Sequence, residues 1–188
     1  MDETYFLYSE KGQRKIKDRK PRIRGGFAKK RGISNEQVCV LVTRDRDIVT
    51  FSQTLGMGHL TKEQLDKAIG HKLSSENVLC TDAWRGLKTY ATEKDISIYQ
   101  VKSDGKTRTK GLYHIQNVNN YHRRLKGWIQ RFNEVATKYL NNYLAWFQVL
   151  ESIHHQRNEV TMKDMIVKGN LIPNKETYDT LRLSKFMV

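Results

Sequence analysis

Four polar residues of this chain are suited to chemistry on a phosphate ester: Asp2, Asp82, Asn119 and Lys126. Carboxylate and amide oxygens are hard ligands, which suit Mg²⁺ or Mn²⁺ better than zinc. A pair of such ions can activate a water or a 3′-hydroxyl and stabilise the leaving oxygen of an in-line phosphoryl transfer. Lys126 would hold the polyanion that reacts. The residue types therefore suggest metal-dependent chemistry, provided that the fold brings them together.

Each candidate also has an ordinary structural interpretation. Asp2 stands where a terminal surface residue would be, and aspartate after a strand, as at position 82, commonly N-caps the next helix. An amide and an ammonium on one side of a helix are typical of a solvated face beside a buried stripe. Spacing alone leaves both interpretations open.

The helix that must position Asn119 and Lys126 is predicted from its apolar stripe, which recurs at helical spacing. The stripe consists of Leu112, Ile115, Val118, Leu125, Trp128, Ile129 and Phe132. The other side is polar and contains His114, Asn119, His122, Arg123 and Lys126. Asn119 and Lys126 are two helical turns apart, so they share one face at a separation of about 10 Å.

The two aspartates must be positioned by strands. Strands are predicted at 4–8, 37–43, 47–53, 77–81 and 96–101, and helices at 61–73, 83–94, 114–132 and 137–157. A turn at residues 44–47 makes the second and third strands an antiparallel hairpin. Thr61 and Gln64 have the spacing of a capping box at the first helix.

This order predicts an α/β fold with a mixed sheet, a three-strand meander followed by alternating α and β elements, flanked by helices. It resembles the order of the ribonuclease H-like fold. In that order the first and fourth strands are neighbours. Asp2 at the head of the first strand and Asp82 just past the end of the fourth would then approach each other.

The composition indicates the class of partner. The chain has 188 residues, 38% of them hydrophobic, with a formal net charge of +14 and a pI of about 9.8. We predict one domain at 1–158 and a weakly packed C-terminal extension at 159–188, with a short helix at 161–167. Such a charge favours polyanions as partners, nucleic acid first and acidic membrane surfaces second.

Much of the positive charge lies in one segment, residues 11–32, which glycines and a proline keep from regular structure. Its basic residues are Lys11, Arg14, Lys15, Lys17, Arg19, Lys20, Arg22, Arg24, Lys29, Lys30 and Arg31. We call it the basic loop and predict that it lies along a phosphate backbone and releases counterions. A solubilising insertion and a nuclear-localisation signal have similar compositions.

Several classes of protein are disfavoured. The chain contains no run of about 18 apolar residues and no secretory leader pattern, so a membrane span or a signal peptide is not predicted. Cys39 and Cys80 each lie in an apolar run and are predicted to be buried free thiols of a cytoplasmic protein. No Cys/His spacing suggests a structural zinc site.

Three ordered motifs resemble the signature blocks of bacterial insertion-sequence transposases of the DDE class. They are DETYF at 2–6, TDAWRGL at 81–87 and His-x4-Asn-x6-Lys from His114 to Lys126. The subgroup resembled has lysine as a fourth member and sometimes asparagine as the third acid. The segment ATKYLNNYLAWF at 136–147 also resembles the family, so the resemblance runs from residue 2 to about 158.

The resemblance implies specific roles. Asp2 and Asp82 would bind metal, with Asn119 in the third-acid position, and two Mg²⁺ or Mn²⁺ ions would be bound. Lys126 would contact DNA phosphate or stabilise charge, and Arg123 on the same helix is a further candidate DNA contact. The implied reaction is cleavage at element ends and 3′-hydroxyl attack on target DNA, carried out by a homo-oligomer on DNA.

Two features depart from the family pattern. Such transposases usually carry an N-terminal DNA-binding part, and nothing precedes Asp2 here, so a truncated copy is expected. Asn119 departs only from an acidic triad, since it is the expected residue of the asparagine-bearing subgroup, but its neutral amide attracts a cation less than a carboxylate does. The alternatives are an inactive transposase remnant that only binds DNA, and a ribonuclease or resolvase of the same fold that cuts without joining.

Overall fold

The computed structural model describes residues 1–17, 19–21, 26–82, 85–101, 113–155, 162–171 and 175–186. Within these ranges the strands are β1 (Asp2–Leu7), β2 (Gln37–Arg44), β3 (Thr50–Met57), β4 (Val78–Asp82) and β5 (Ser97–Val101). The helices are α1 (Lys62–Ile69), α2 (Arg85–Glu93), α3 (Gln116–Gln130), α4 (Leu140–His155), α5 (Met162–Leu171) and α6 (Tyr178–Leu183). The predicted mixed α/β class and the order of its elements are confirmed.

The strands form two ladders. β1, β2 and β3 pair antiparallel in sequence order, and β4 pairs parallel with β5. The backbone nitrogen of Met1 donates a hydrogen bond to the Cys80 carbonyl oxygen at 2.7 Å, which brings the start of β1 beside β4. The two strands that carry the candidate aspartates are therefore neighbours, although the ladders are separate within the described residues.

β2 lies between two apolar cores because its side chains alternate between its two faces. Cys39 and Leu41 belong to the core under α1 and α2. Val38, Val40 and Val42 belong to the other core, where they meet the apolar side of α3 and α4. All five of these side chains are fully buried. This arrangement fixes α3 across the face of β1 and β2 on which the candidate site lies.

The prediction for β3 was wrong by three to four residues, since the strand covers Thr50–Met57 instead of 47–53. A longer turn takes up the difference. The Asp45 carboxylate accepts a hydrogen bond from the Val49 backbone nitrogen at 2.8 Å, and Ile48 has a left-handed φ of 71°. These features close a loop that includes Ile48 and Val49, which are β-formers by type.

Other boundaries also shifted. The Thr61 and Gln64 capping box is present, but α1 ends at Ile69 and a 3₁₀ turn follows.

Both cysteines are free, as predicted, and Cys39 is buried while Cys80 is half-buried. The extension contains α5 at Met162–Leu171 and a second helix, α6, that we did not predict.

The predicted domain boundary at 158, Leu112 of the helical stripe and the loop before α3 lie outside the described residues. No helix in the described part of the chain is long and apolar enough to cross a membrane.

An ion cluster fastens α4 to α3 and β2. Glu151 on α4 accepts hydrogen bonds from Arg124 at 3.0 Å and from Arg44 at 3.4 Å. The side chains of Arg44 and Glu151 are only 5% and 11% exposed, and the Arg44 guanidinium lies over the Tyr121 ring at 5.6 Å. Because both charges are nearly removed from water, the loss of one partner leaves the other without compensation.

We therefore expect Glu151→Gln to lower the free energy of unfolding by about 1–3 kcal/mol at pH 7. Burial raises the pKa of Glu151, but hydrogen bonds and charges from Arg124 and then Arg44 outweigh burial, so the pKa is lowered. The stabilisation is thus present above the unfolded pKa of about 4.3 and is lost as the pH falls through the folded pKa.

Urea unfolding of the wild type and the variant at pH 7 and at pH 3 measures this effect. The difference between the two proteins should shrink at pH 3. Glu76→Gln, at an exposed position, is the control and should match the wild type. A pH-independent difference at position 151 would contradict the ion-pair explanation.

Candidate active site

Asp2 and Asp82 come together at the junction of the two ladders. Asp2 is the first residue of β1, and Asp82 is the last residue of β4, where it pairs with Val101, instead of lying past the strand end as predicted. Burial, and then the nearby charge of Asp82, raise the pKa of Asp2 to about 6. The two carboxylates are therefore close enough to repel each other.

Lys126 lies within electrostatic reach of Asp2. Its charge acts to lower the pKa of Asp2, against the larger effects of burial and Asp82. It also contributes, after burial, to lowering the pKa of His122 to about 4. His122 is consequently neutral at pH 7, and its Nδ1 atom is 3.7 Å from Oδ2 of Asp2.

Asn119 lies on the same side of α3, one turn before His122, and its side chain is exposed. Its backbone nitrogen donates to the Ile115 carbonyl oxygen, as expected within a helix. The described contacts do not join its side chain to Asp2 or Asp82. The helix thus carries Asn119 on the face that includes Lys126, as the spacing predicted.

Two residues near the carboxylates were missed or misplaced by sequence reasoning. His122 was predicted on the polar, solvated side of the helix, but it is only 9% exposed because that side faces β1 near Asp2. Glu3 is a third carboxylate, and burial followed by the charges of Asp2 and Asp82 raises its pKa to about 7. Its position directly after Asp2 is the signal that could have identified it.

His114, which matches the histidine of the third motif, precedes α3 and is half-buried. Its Nδ1 atom is buried without a hydrogen-bond partner in the described part of the chain.

The side chains of Asp2, Asp82 and Asn119 are the candidate ligands for a divalent cation. Among the described residues, no group of three or more His, Cys, Asp or Glu side chains is arranged to hold a metal ion. Burial, and then repulsion from Asp82, raise the pKa of Asp2, and a cation beside the two carboxylates would relieve that repulsion. Two carboxylates and an amide oxygen suit Mg²⁺ or Mn²⁺.

The basic loop has no helix or strand in its described residues, as predicted. Besides Lys11, seven of its described basic side chains are exposed: Arg14, Lys15, Lys17, Lys20, Lys29, Lys30 and Arg31. Arg19 is less exposed, and its Nε atom pairs with Glu10 at 3.1 Å. Arg22 and Arg24 lie outside the described residues. Arg123 on α3 is exposed.

Lys11 has a contact that its charge alone did not predict. Its ammonium donates hydrogen bonds to the backbone carbonyl oxygens of residues 132–134 at 2.7, 3.1 and 2.9 Å. These carbonyls follow the last turn of α3, where the partial negative charge of a helix favours a cation. Nearby, Ser9 and Thr137 exchange two hydrogen bonds of 2.8 Å. The start of the basic loop is therefore fastened to the end of α3.

We expect Lys11→Met to lower the free energy of unfolding by about 0.3–1 kcal/mol, the usual contribution of a cation at a helix C-terminus. Lys20→Met removes the same charge from an exposed position of the same loop and should leave stability unchanged. Urea unfolding of both variants measures the difference. Equal stability of the two variants would show that the Lys11 contact contributes nothing in solution.

Of three comparisons with known proteins, one gave a match. Searches among curated proteins and among solved structures gave no match. The family model of the ISXO2-like transposase domain matches residues 1–148, a range that includes Asp2, Asp82, Asn119 and Lys126. The match covers most of the chain and confirms the predicted resemblance to insertion-sequence transposases of the DDE class. The chain belongs to the ISXO2-like transposase domain family, whose role is in DNA transposition.

Proposed function

We propose that the chain carries out the DNA strand cleavage and strand transfer of insertion-sequence transposition, with divalent metal bound by Asp2, Asp82 and Asn119. The observation that best supports this proposal is the approach of Asp2, Asp82 and Lys126, which come from β1, β4 and α3. A carboxylate pair beside a lysine is suited to a phosphate substrate, because the pair attracts cations and the lysine attracts the phosphate.

Each residue of the site has a distinct role in this proposal. Asp2 and Asp82 hold the cations, and Asn119 adds a neutral oxygen ligand from the adjacent helix. Lys126 binds the phosphate beside the scissile bond and offsets the negative charge that grows on it. Mg²⁺ or Mn²⁺, when bound, supplies the Lewis acid that activates a water or a 3′-hydroxyl. His122, neutral and buried, adds no charge of its own beside Asp2.

DNA is the partner that the family implies, both as element ends and as target. We propose that the exposed basic side chains of the basic loop, together with Arg123, follow its phosphate backbone. Because transposition acts on two element ends, we also propose that two or more copies of the chain work together on the DNA.

A strand-joining assay tests the function. A labelled duplex with a free 3′-hydroxyl, taken from the DNA that flanks this coding sequence, is incubated with the full chain, Mn²⁺ and a supercoiled plasmid. We expect labelled plasmid to form only when Mn²⁺ is present. Cutting without joining would favour a nuclease, and DNA binding without either product would favour an inactive remnant.

A further inference from the structure

His122 differs from the other polar residues on its side of α3. Asn119 and Lys126, one turn before and one turn after it, are exposed, whereas His122 is 9% exposed. Its Nδ1 atom lies 3.7 Å from the Asp2 carboxylate, whose side chain is 16% exposed. An imidazole and a carboxylate have thus been buried beside each other at the edge of the candidate metal site.

The contact is not a completed hydrogen bond. An N–H···O bond has a heavy-atom distance near 2.9 Å, so the 3.7 Å separation leaves the two groups close but not engaged. The other ring nitrogen, Nε2, is buried and has no hydrogen-bond partner among the residues that the structure describes. A buried polar atom without a partner destabilises a fold, so its presence calls for a compensating role.

We infer that His122 is a positioning residue for Asp2, and that its imidazole holds the Asp2 carboxylate in the orientation in which it binds a divalent cation. This inference rests on the proposed function. Carboxylates that bind metal are themselves held by hydrogen bonds, and loss of such a partner typically lowers metal affinity by 10- to 100-fold. A small rotation of either side chain would close the gap to hydrogen-bond distance.

If His122 positions Asp2, its replacement should lower the metal affinity without lowering the stability of the metal-free protein. In His122→Phe, the buried ring remains but both nitrogens are removed. We expect Mn²⁺ affinity, measured by calorimetry on the full chain, to fall by about 10- to 100-fold. Without metal, the stability should be unchanged or higher, because a buried polar group without a partner has been removed. If His122 were purely structural, His122→Phe would instead lower both the Mn²⁺ affinity and the stability without metal.

Two further variants sharpen the test. His122→Gln keeps an N–H donor and should retain most of the Mn²⁺ affinity. Tyr121→Phe removes a buried polar atom from the adjacent residue, whose ring lies by Arg44 instead of Asp2, and should leave Mn²⁺ affinity unchanged.

The outcomes separate the two proposals. If the wild type binds no Mn²⁺, the proposed function itself fails, and this inference fails with it. If the wild type binds Mn²⁺ and His122→Phe binds it equally well, only the role of His122 is overturned. If His122→Phe unfolds, the folded His122→Gln decides, because an affinity as low as that of Asp2→Asn would contradict a positioning role.

Discussion

Asp82→Asn is expected to reduce metal-dependent DNA cleavage by roughly 10³-fold or more, a loss on the order of 4 kcal/mol of transition-state stabilisation. Asparagine keeps the shape of the side chain at the end of β4 and removes its negative charge. The cation then loses one of two carboxylate ligands, while the basic loop is untouched. DNA binding should therefore be retained, or slightly strengthened by the loss of a negative charge.

Plasmid nicking in the presence of Mn²⁺ measures cleavage, and fluorescence anisotropy with a labelled duplex measures binding. Asp95→Asn is the matched control, because Asp95 is exposed after α2 and its left-handed φ of 56° is one that asparagine also tolerates. The control should cleave like the wild type. Wild-type cleavage by Asp82→Asn would contradict the assignment of Asp82, whereas loss of both cleavage and binding would point to unfolding.

Neutralising the exposed part of the basic loop is expected to have the second large effect, this time on DNA binding. Replacing Arg14, Lys15, Lys17, Lys20, Lys29, Lys30 and Arg31 by glutamine lowers the formal net charge from +14 to +7, since seven positive charges are removed. A protein that neutralises 6–10 phosphates weakens its binding by about 10³–10⁵ between 50 and 200 mM salt. The DNA affinity of the wild type should fall in this way as the salt concentration rises, and the affinity of the variant should fall much less.

A smaller pair of variants separates local contact from overall charge. The double variant Lys29→Gln/Lys30→Gln lies in the loop, and Lys67→Gln/Lys88→Gln lies on α1 and α2, where both lysines are exposed. Both pairs change the net charge equally. Only the loop pair should reduce the slope of log K against log salt, by about 0.9 for each phosphate that is no longer neutralised. Equal slopes for the two pairs would contradict a specific role for the loop.

Much of the fold follows from patterns that are local in sequence. The alternation in β2 and the helical spacing in α3 predicted both elements, because burying an apolar face is the main force that fixes them. β3 was misplaced because Ile48 and Val49, although β-formers by type, are held in a loop by the Asp45 contact and by the left-handed conformation of Ile48. The β propensity of a residue type does not reveal such a turn.

In the candidate site, too, local spacing was predictive and tertiary contacts were not. The spacing of Asn119 and Lys126 predicted their common helix face, since that relation depends only on helical geometry. The burial of His122 depends on which strand α3 meets, so residue type alone placed it wrongly in solvent. Lys11 was counted as a DNA contact by its charge, yet its ammonium is held by carbonyls more than a hundred residues later in the chain. Tertiary contacts of this kind have no local signal.

The proposed function requires a divalent-cation site that depends on the Asp2 and Asp82 carboxylates. Calorimetric titration of Mn²⁺ into the wild type and into Asp82→Asn, each with and without duplex DNA, tests it most directly. We expect saturable binding by the wild type and its loss in Asp82→Asn under both conditions. Equal binding by the two proteins, or no binding by the wild type even with DNA present, would contradict it.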